Sequence, residues 1–164
     1  MRGRTTHVVH PFRERPASRL RAPTEGPVWS DALARITVVN DYPEFLAVMQ
    51  ELVARAGDHA FFGFDGAQST YEEIAATAPD VLVVDLRLTN DVLTGWDVLA
   101  LARADDALRD VPIIVCSADI GQVRQRADDF ERIGNIHVRQ KPFDTGEMID
   151  LINELASQGR TTAA

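Results

Sequence analysis

The run Val81-Leu82-Val83-Val84-Asp85-Leu86 decides the reading of this chain. It is too short for a helix, it does not alternate, and it sets a carboxylate behind unbroken apolar residues. That is the pattern of a strand buried on both faces whose last residues reach a polar edge. Upstream, Ile36-Thr37-Val38-Val39 repeats the pattern. After Pro43, tolerated in a first helical turn, Phe45, Val48, Met49, Leu52 and Val53 fall on one helical face, and Gly57 closes the element. Ala60 to Phe64 reads as a second strand. Ser69 to Ala78 reads as a helix, with Ile74, Ala75 and Ala78 inward and Pro79 at its end.

Downstream of Leu86 the alternation continues. Trp96 to Ala104 reads as a helix, and Pro112 opens a strand from Ile113 to Cys116. Ile120 to Ile133 reads as a helix of weaker pattern, and Ile136 to Val138 as a short strand. Asp144, with Glu147 three residues on, forms a capping box for a last helix whose apolar face is Met148, Ile149, Leu151, Ile152 and Leu155. Five strands alternating with five helices predict an α/β fold, a parallel sheet covered on both faces.

Residues 1–33 differ in kind. They hold four of the eight prolines and show no periodicity, so they read as a poorly ordered leader. They carry six arginines against three acids, a net of +3, which leaves −11 for the rest of a chain whose total is −8. The domain is expected over 34–158, with a frayed tail over 159–164. So acidic a body argues against direct DNA binding. No run is long enough for a membrane span, and the leader lacks the apolar stretch of a signal peptide, so the expected location is the cytoplasm. The single cysteine, Cys116, excludes an internal disulfide and reads as a small buried hydrophobe.

Parallel sheets place their ligands beyond the carboxyl ends of the strands, where strand order reverses. The residues at those ends are therefore the candidates for chemistry. They are Asn40 and Asp41 after the first strand, Asp85 at the end of the third, Ser117 after the fourth and Lys141 after the fifth. Two close carboxylates attract a hard divalent cation; lysine and hydroxyl suit phosphate oxygens. A carboxylate nucleophile among these groups makes an acyl-phosphate site. Each residue also has an ordinary structural use, since Asp ends strands, Ser caps helices and Lys-Pro forms turns. It is their joint placement that points to chemistry. The four histidines show no ligand-like spacing.

The runs VVNDYPEFL (38–46), VLVVDLRL (81–88), PIIVCSAD (112–119) and VRQKPFD (138–144) resemble, in order, the four signature segments of response-regulator receiver domains. The resemblance covers about residues 34–158. It implies a flavodoxin-like (βα)5 fold with strand order 2-1-3-4-5. It implies that Asp85 is the phospho-acceptor of a two-component phosphorelay. Mg2+ is then held by Asp41, Asp85 and the backbone carbonyl of Arg87, with Asn40 acting through a metal-bound water. Ser117 and Lys141 take the phosphoryl oxygens, Ala118 leaves access to them, and the bond before Pro142 is cis. Arg87 and Asp119 flank the route of hydrolytic water.

Three features depart from the family. Asn40 replaces an acid, which removes one negative charge from the metal site. The loop Leu88–Thr94 is long and lacks the customary proline. Val138, three residues before Lys141, stands where the family carries a switching aromatic. The implied partners are a sensor histidine kinase or phosphotransfer protein and a downstream protein target. A homodimer through the fourth helix, fifth strand and last helix is a further expectation. After Gln158 too few residues follow for a DNA-binding output domain. The alternative is a pseudo-receiver that binds partners without phosphorylation, which Asn40 and Val138 favour. A flavin- or nucleotide-binding domain of like architecture ranks lower, because no glycine-rich loop follows the first strand.

Overall fold

The computed structural model of the chain describes residues 34–66, 69–88 and 93–162. The leader expected over 1–33 and most of the loop expected over 88–94 lie outside those residues.

Five strands, β1 (Arg35–Val39), β2 (Ala60–Phe64), β3 (Val81–Asp85), β4 (Ile113–Ser117) and β5 (Ile136–Gln140), form one parallel sheet in the order β2-β1-β3-β4-β5. Every residue of β3 and β4 is buried. Side chains alternate between two cores, as the pleat requires. Val38, Val83 and Cys116 face helices α1 (Pro43–Ala56) and α6 (Thr145–Thr162), packing with Met49, Leu52, Ile152 and Leu155. Val39, Val84 and Val115 face the other layer, which includes α2 (Tyr71–Ala76) and α3 (Gly95–Ala104), and pack with Ile74, Val98 and Leu99. Fully burying such a side chain contributes roughly 1.5–3 kcal/mol, so a one-residue slip that exchanged the faces would be heavily penalised.

The order reverses at β1. The chain passes from β1 outward to β2, then back across β1 to β3. The crevice between the carboxyl ends of β1 and β3 is therefore the predicted ligand edge. α3 is started beside it by a reciprocal capping box, in which Thr94 accepts from Asp97 N and Asp97 accepts from Thr94 N. The far end of α3 is tied down by Arg103, whose guanidinium donates to the carbonyls of Leu108, Val111, Ile133 and Gly134. Burial lowers the pKa of that guanidinium.

Several boundaries differ from those expected. The helix expected over Ile120–Ile133 is two segments, α4 (Ile120–Gln125) and α5 (Ala127–Ile133), giving six helical segments among the described residues. The break is at Arg126, whose φ of −108° and ψ of 14° leave the helical basin. Both segments fill one crossover, so the (βα)5 plan stands. Val48 is 47% exposed, because α1 buries the row Met49, Leu52 and Val53 with Phe45 and Leu46 beside it. α2 is shorter than Ser69–Ala78: Thr70 caps it, and Ala78 is exposed with a left-handed φ of 46°. β5 runs on to Gln140, since an edge strand with half-exposed faces needs no apolar run. Asp144 Oδ1 accepts from Glu147 N at 3.0 Å, as expected of a cap, and α6 continues past Gln158 to Thr162.

Candidate functional site

Asp85 is the last residue of β3, and only 6% of it is exposed. Three donors hold its carboxylate. Lys141 Nζ donates to Oδ2 at 2.7 Å, Asn40 Nδ2 donates to Oδ2 at 3.1 Å, and the backbone N–H of Arg87 donates to Oδ1 at 2.9 Å. These come from the ends of β5, β1 and β3, three separate strands gathered by the parallel sheet. Charge-assisted bonds of this kind fix a carboxylate rotamer and offset the cost of burying it.

Lys141 is placed by its own neighbours. Its backbone N–H donates to the carbonyl of Ser117 at 2.8 Å, which ties the end of β5 to the end of β4. The Lys141–Pro142 peptide is cis. The ammonium lies 4.1 Å from the centroid of the Phe45 ring, a cation–π arrangement, and Phe143 meets Phe45 edge to face at 6.1 Å. Ser117, the last residue of β4, is 2% exposed, and its Oγ accepts from Asp119 N at 3.1 Å. Asp119 Oδ1 then caps α4 by accepting from Gln122 N at 3.0 Å. Asp119 Oδ2 meets the Arg87 guanidinium at 3.5 Å across the solvent-exposed rim. Ala118 is exposed, and Val138 is half-buried against the α3-side core.

Asp41 is half-buried beside Gly66. A Cβ at position 66 would lie 2.7 Å from Asp41 Oδ1 and 2.9 Å from Leu88 Cδ2, so a side chain there would push both of these side chains aside. Gly95 is a second such point. A Cβ there would fall 2.3 Å from the carbonyl oxygen of Asp85 and 2.6 Å from Leu86 Cα. Nothing in the spacing or composition singles out Phe45, Gly66 or Gly95 for the site. The Thr-Gly-x-Asp start of α3 was the available signal for Gly95, because a glycine in a well-capped first turn is there for closeness rather than propensity.

The expected residues thus converge on one sheet edge, with Asp85 bonded directly to Lys141, Asn40 and Arg87 N. The site carries the charges of Asp41 and Asp85 against that of Lys141. Among the described residues no cluster of three or more His, Cys, Asp or Glu side chains is assembled for a metal. Two carboxylates and the Arg87 carbonyl are all-oxygen donors, which suit a hard cation retaining several waters rather than a soft one.

The model of the response regulator receiver domain family matches residues 36–153. No curated protein sequence matches the chain. Among solved structures, a signal receiver domain from Vibrio parahaemolyticus is similar with a TM-score of 0.69 at 17% identity, over 80% of this chain and 96% of that one. The chemotaxis protein CheY4 of Vibrio cholerae gives 0.65 at 15% identity, over 76% and 99%. The receiver domain of a sensor histidine kinase from Pseudomonas aeruginosa, described with a magnesium ion in its active-site cleft, gives 0.60 at 22% identity, over 77% and 99%. These likenesses carry the fold, and the family match carries the kinship: this chain belongs to the response regulator receiver domain family.

Proposed function

We propose that Asp85 accepts a phosphoryl group from the phosphohistidine of a sensor histidine kinase or phosphotransfer protein, and that the phosphorylated domain signals through protein contacts. The observation that carries this is the Asp85 carboxylate itself, held at the crossover edge by Lys141, Asn40 and Arg87 N. A carboxylate oxygen attacks phosphorus in line, the phosphorus–nitrogen bond breaks, and its electron pair leaves with the imidazole. Lys141 supplies a positive charge to the incoming phosphoryl oxygens. Ser117 Oγ, which accepts from Asp119 N, keeps its own proton to donate to them. Ala118 offers only a methyl group, which leaves the approach open. Water later cleaves the acyl phosphate, and the Arg87–Asp119 pair at the rim governs its access.

A magnesium ion held by Asp41, Asp85 and the Arg87 carbonyl, with Asn40 acting through a bound water, would screen the charge that accumulates during transfer. The ion described in the Pseudomonas aeruginosa receiver domain supports this assignment. Asn40 Oδ1 already accepts from Tyr42 N at 2.8 Å, and its second lone pair is available for such a water.

The output runs through α4. That segment buries no residue and is anchored at its start by Asp119, whose N–H also bonds Ser117 Oγ. Drawing Ser117 toward a phosphoryl group pulls on that anchor. Val138 cannot make an aromatic swing, so the α4–β5–α6 face changes through this loop, presenting itself to a downstream protein or a second copy. Incubation with Mg2+ and acetyl phosphate, followed by mass spectrometry, tests the proposal. Wild type should gain one phosphoryl group and Asp85→Asn none. No gain in wild type, or an equal gain in the variant, overturns it.

A further inference from the structure

Asn40 is fully buried, and both ends of its amide are engaged. Oδ1 accepts from Tyr42 N at 2.8 Å, and Nδ2 donates to Asp85 Oδ2 at 3.1 Å. The pair of contacts fixes the amide orientation. Reversed, its carbonyl would face a carboxylate and its NH2 a backbone N–H. A carboxylate in the same place would keep the Tyr42 bond. Its second oxygen, however, would face Asp85 Oδ2 at the 3.1 Å now spanned by a hydrogen bond. Two buried carboxylates at that distance need a proton or a cation between them. The amide needs neither. With Lys141 on the same oxygen and Arg87 N on the other, the Asp85 carboxylate is charge-compensated and oriented by the chain's own atoms.

We infer that Asn40 is a positioning residue that holds Asp85 in its nucleophilic orientation without a divalent cation, so that the resting site is assembled metal-free and takes Mg2+ weakly. The inference deepens the phosphoryl-transfer reading and rests on it for the word nucleophilic. The geometry it concerns is that of the unphosphorylated protein.

The test uses the full chain with Mg2+ alone as the probe and no phosphodonor. Mg2+ affinity is read by calorimetry, and thermal midpoints are read in EDTA and in excess Mg2+, at one ionic strength. Wild type should bind Mg2+ weakly, and its midpoint should shift little between the two solutions. Asn40→Asp should unfold earlier in EDTA, recover in Mg2+, and bind Mg2+ at least about tenfold more tightly, because it adds a charge to a poorly screened site. Asn40→Ala should lose stability equally in both solutions, since it removes a bond without adding a charge. If Asn40→Asp fails to fold in EDTA, folding on addition of Mg2+ counts for the inference, and failure in both solutions counts against it. Equal Mg2+ affinity of wild type and Asn40→Asp, or a wild-type midpoint that climbs with Mg2+ as the variant's does, overturns it. Because no phosphodonor is present, these outcomes stand apart from the acetyl phosphate experiment.

Discussion

Removing Lys141 and removing the charge of Asp85 should not cost the same. The Asp85 side chain is 7% exposed and that of Lys141 is 21% exposed. Without Lys141, a nearly buried carboxylate keeps Asn40 and Arg87 N but loses its counter-charge. Without the Asp85 charge, the lysine can move its ammonium toward water along a flexible stem, because long side chains snorkel. Lys141→Ala is therefore expected to destabilise by about 1–3 kcal/mol, the range for stripping a partner from a buried charged acceptor. Asp85→Asn should cost less or stabilise, since a buried pair returns little net energy. Urea unfolding of the two variants checks the order, and a larger loss for Asp85→Asn contradicts it. At this scale much was legible. Asn40, Asp85 and Ser117 stand at the ends of apolar runs, and position alone marked them. Phe45 was read only as one of a row of core residues, because nothing in its spacing says which lysine, far along the chain, its ring will meet.

Elements that pack on one broad apolar face were readable, and those that rest on single close contacts were not. α1 and α6 declare themselves by periodic rows, whereas the Ile120–Ile133 stretch buries one residue, Phe130, and its break at Arg126 leaves no apolar signature. There the local geometry is set by side chains. Arg126 lies over the Trp96 ring at 4.9 Å, and Trp96 stacks on Phe130 at 5.1 Å. α3 shows the same dependence at its first residue. Gly95 lets the helix start against the carbonyl of Asp85 and Leu86 Cα, where any Cβ would collide with backbone that cannot yield. Gly95→Ala favours a helix locally by up to about 1 kcal/mol, yet the clash is expected to reverse the sign and cost about 1–3 kcal/mol. It should also displace the end of β3, so acetyl phosphate labelling should slow along with the loss of stability. A variant as stable and as readily labelled as wild type would mean that the approach of α3 to β3 does not matter to the site.

For the molecule as a whole, the two-sided burial of β1, β3 and β4 was evident from short, mostly apolar runs that do not alternate, but their lateral order was not. Right-handed crossovers fix the hand of each βαβ unit and leave open on which side each strand is added. The order β2-β1-β3-β4-β5 came from resemblance to a family, and the pairing bears it out. Such a sheet should open as one unit, because β3 and β4 share side chains with both layers. Cys116 can report on this. It is fully buried in β4, next to Asp85 in register, and burial pushes its thiol up to about 12, further raised by Asp85 and partly offset by Lys141 and Arg139. At mildly alkaline pH the folded thiol is thus both inaccessible and protonated, while the unfolded one titrates near 8.5 and reacts as thiolate. Its alkylation rate should therefore be set by the fraction of molecules opened, and should rise with urea along the slope of equilibrium unfolding. A rate insensitive to urea at low concentration would reveal a local opening between β4 and its neighbours. That opening would place the edge that carries Asp85 in a unit that fluctuates separately from the core.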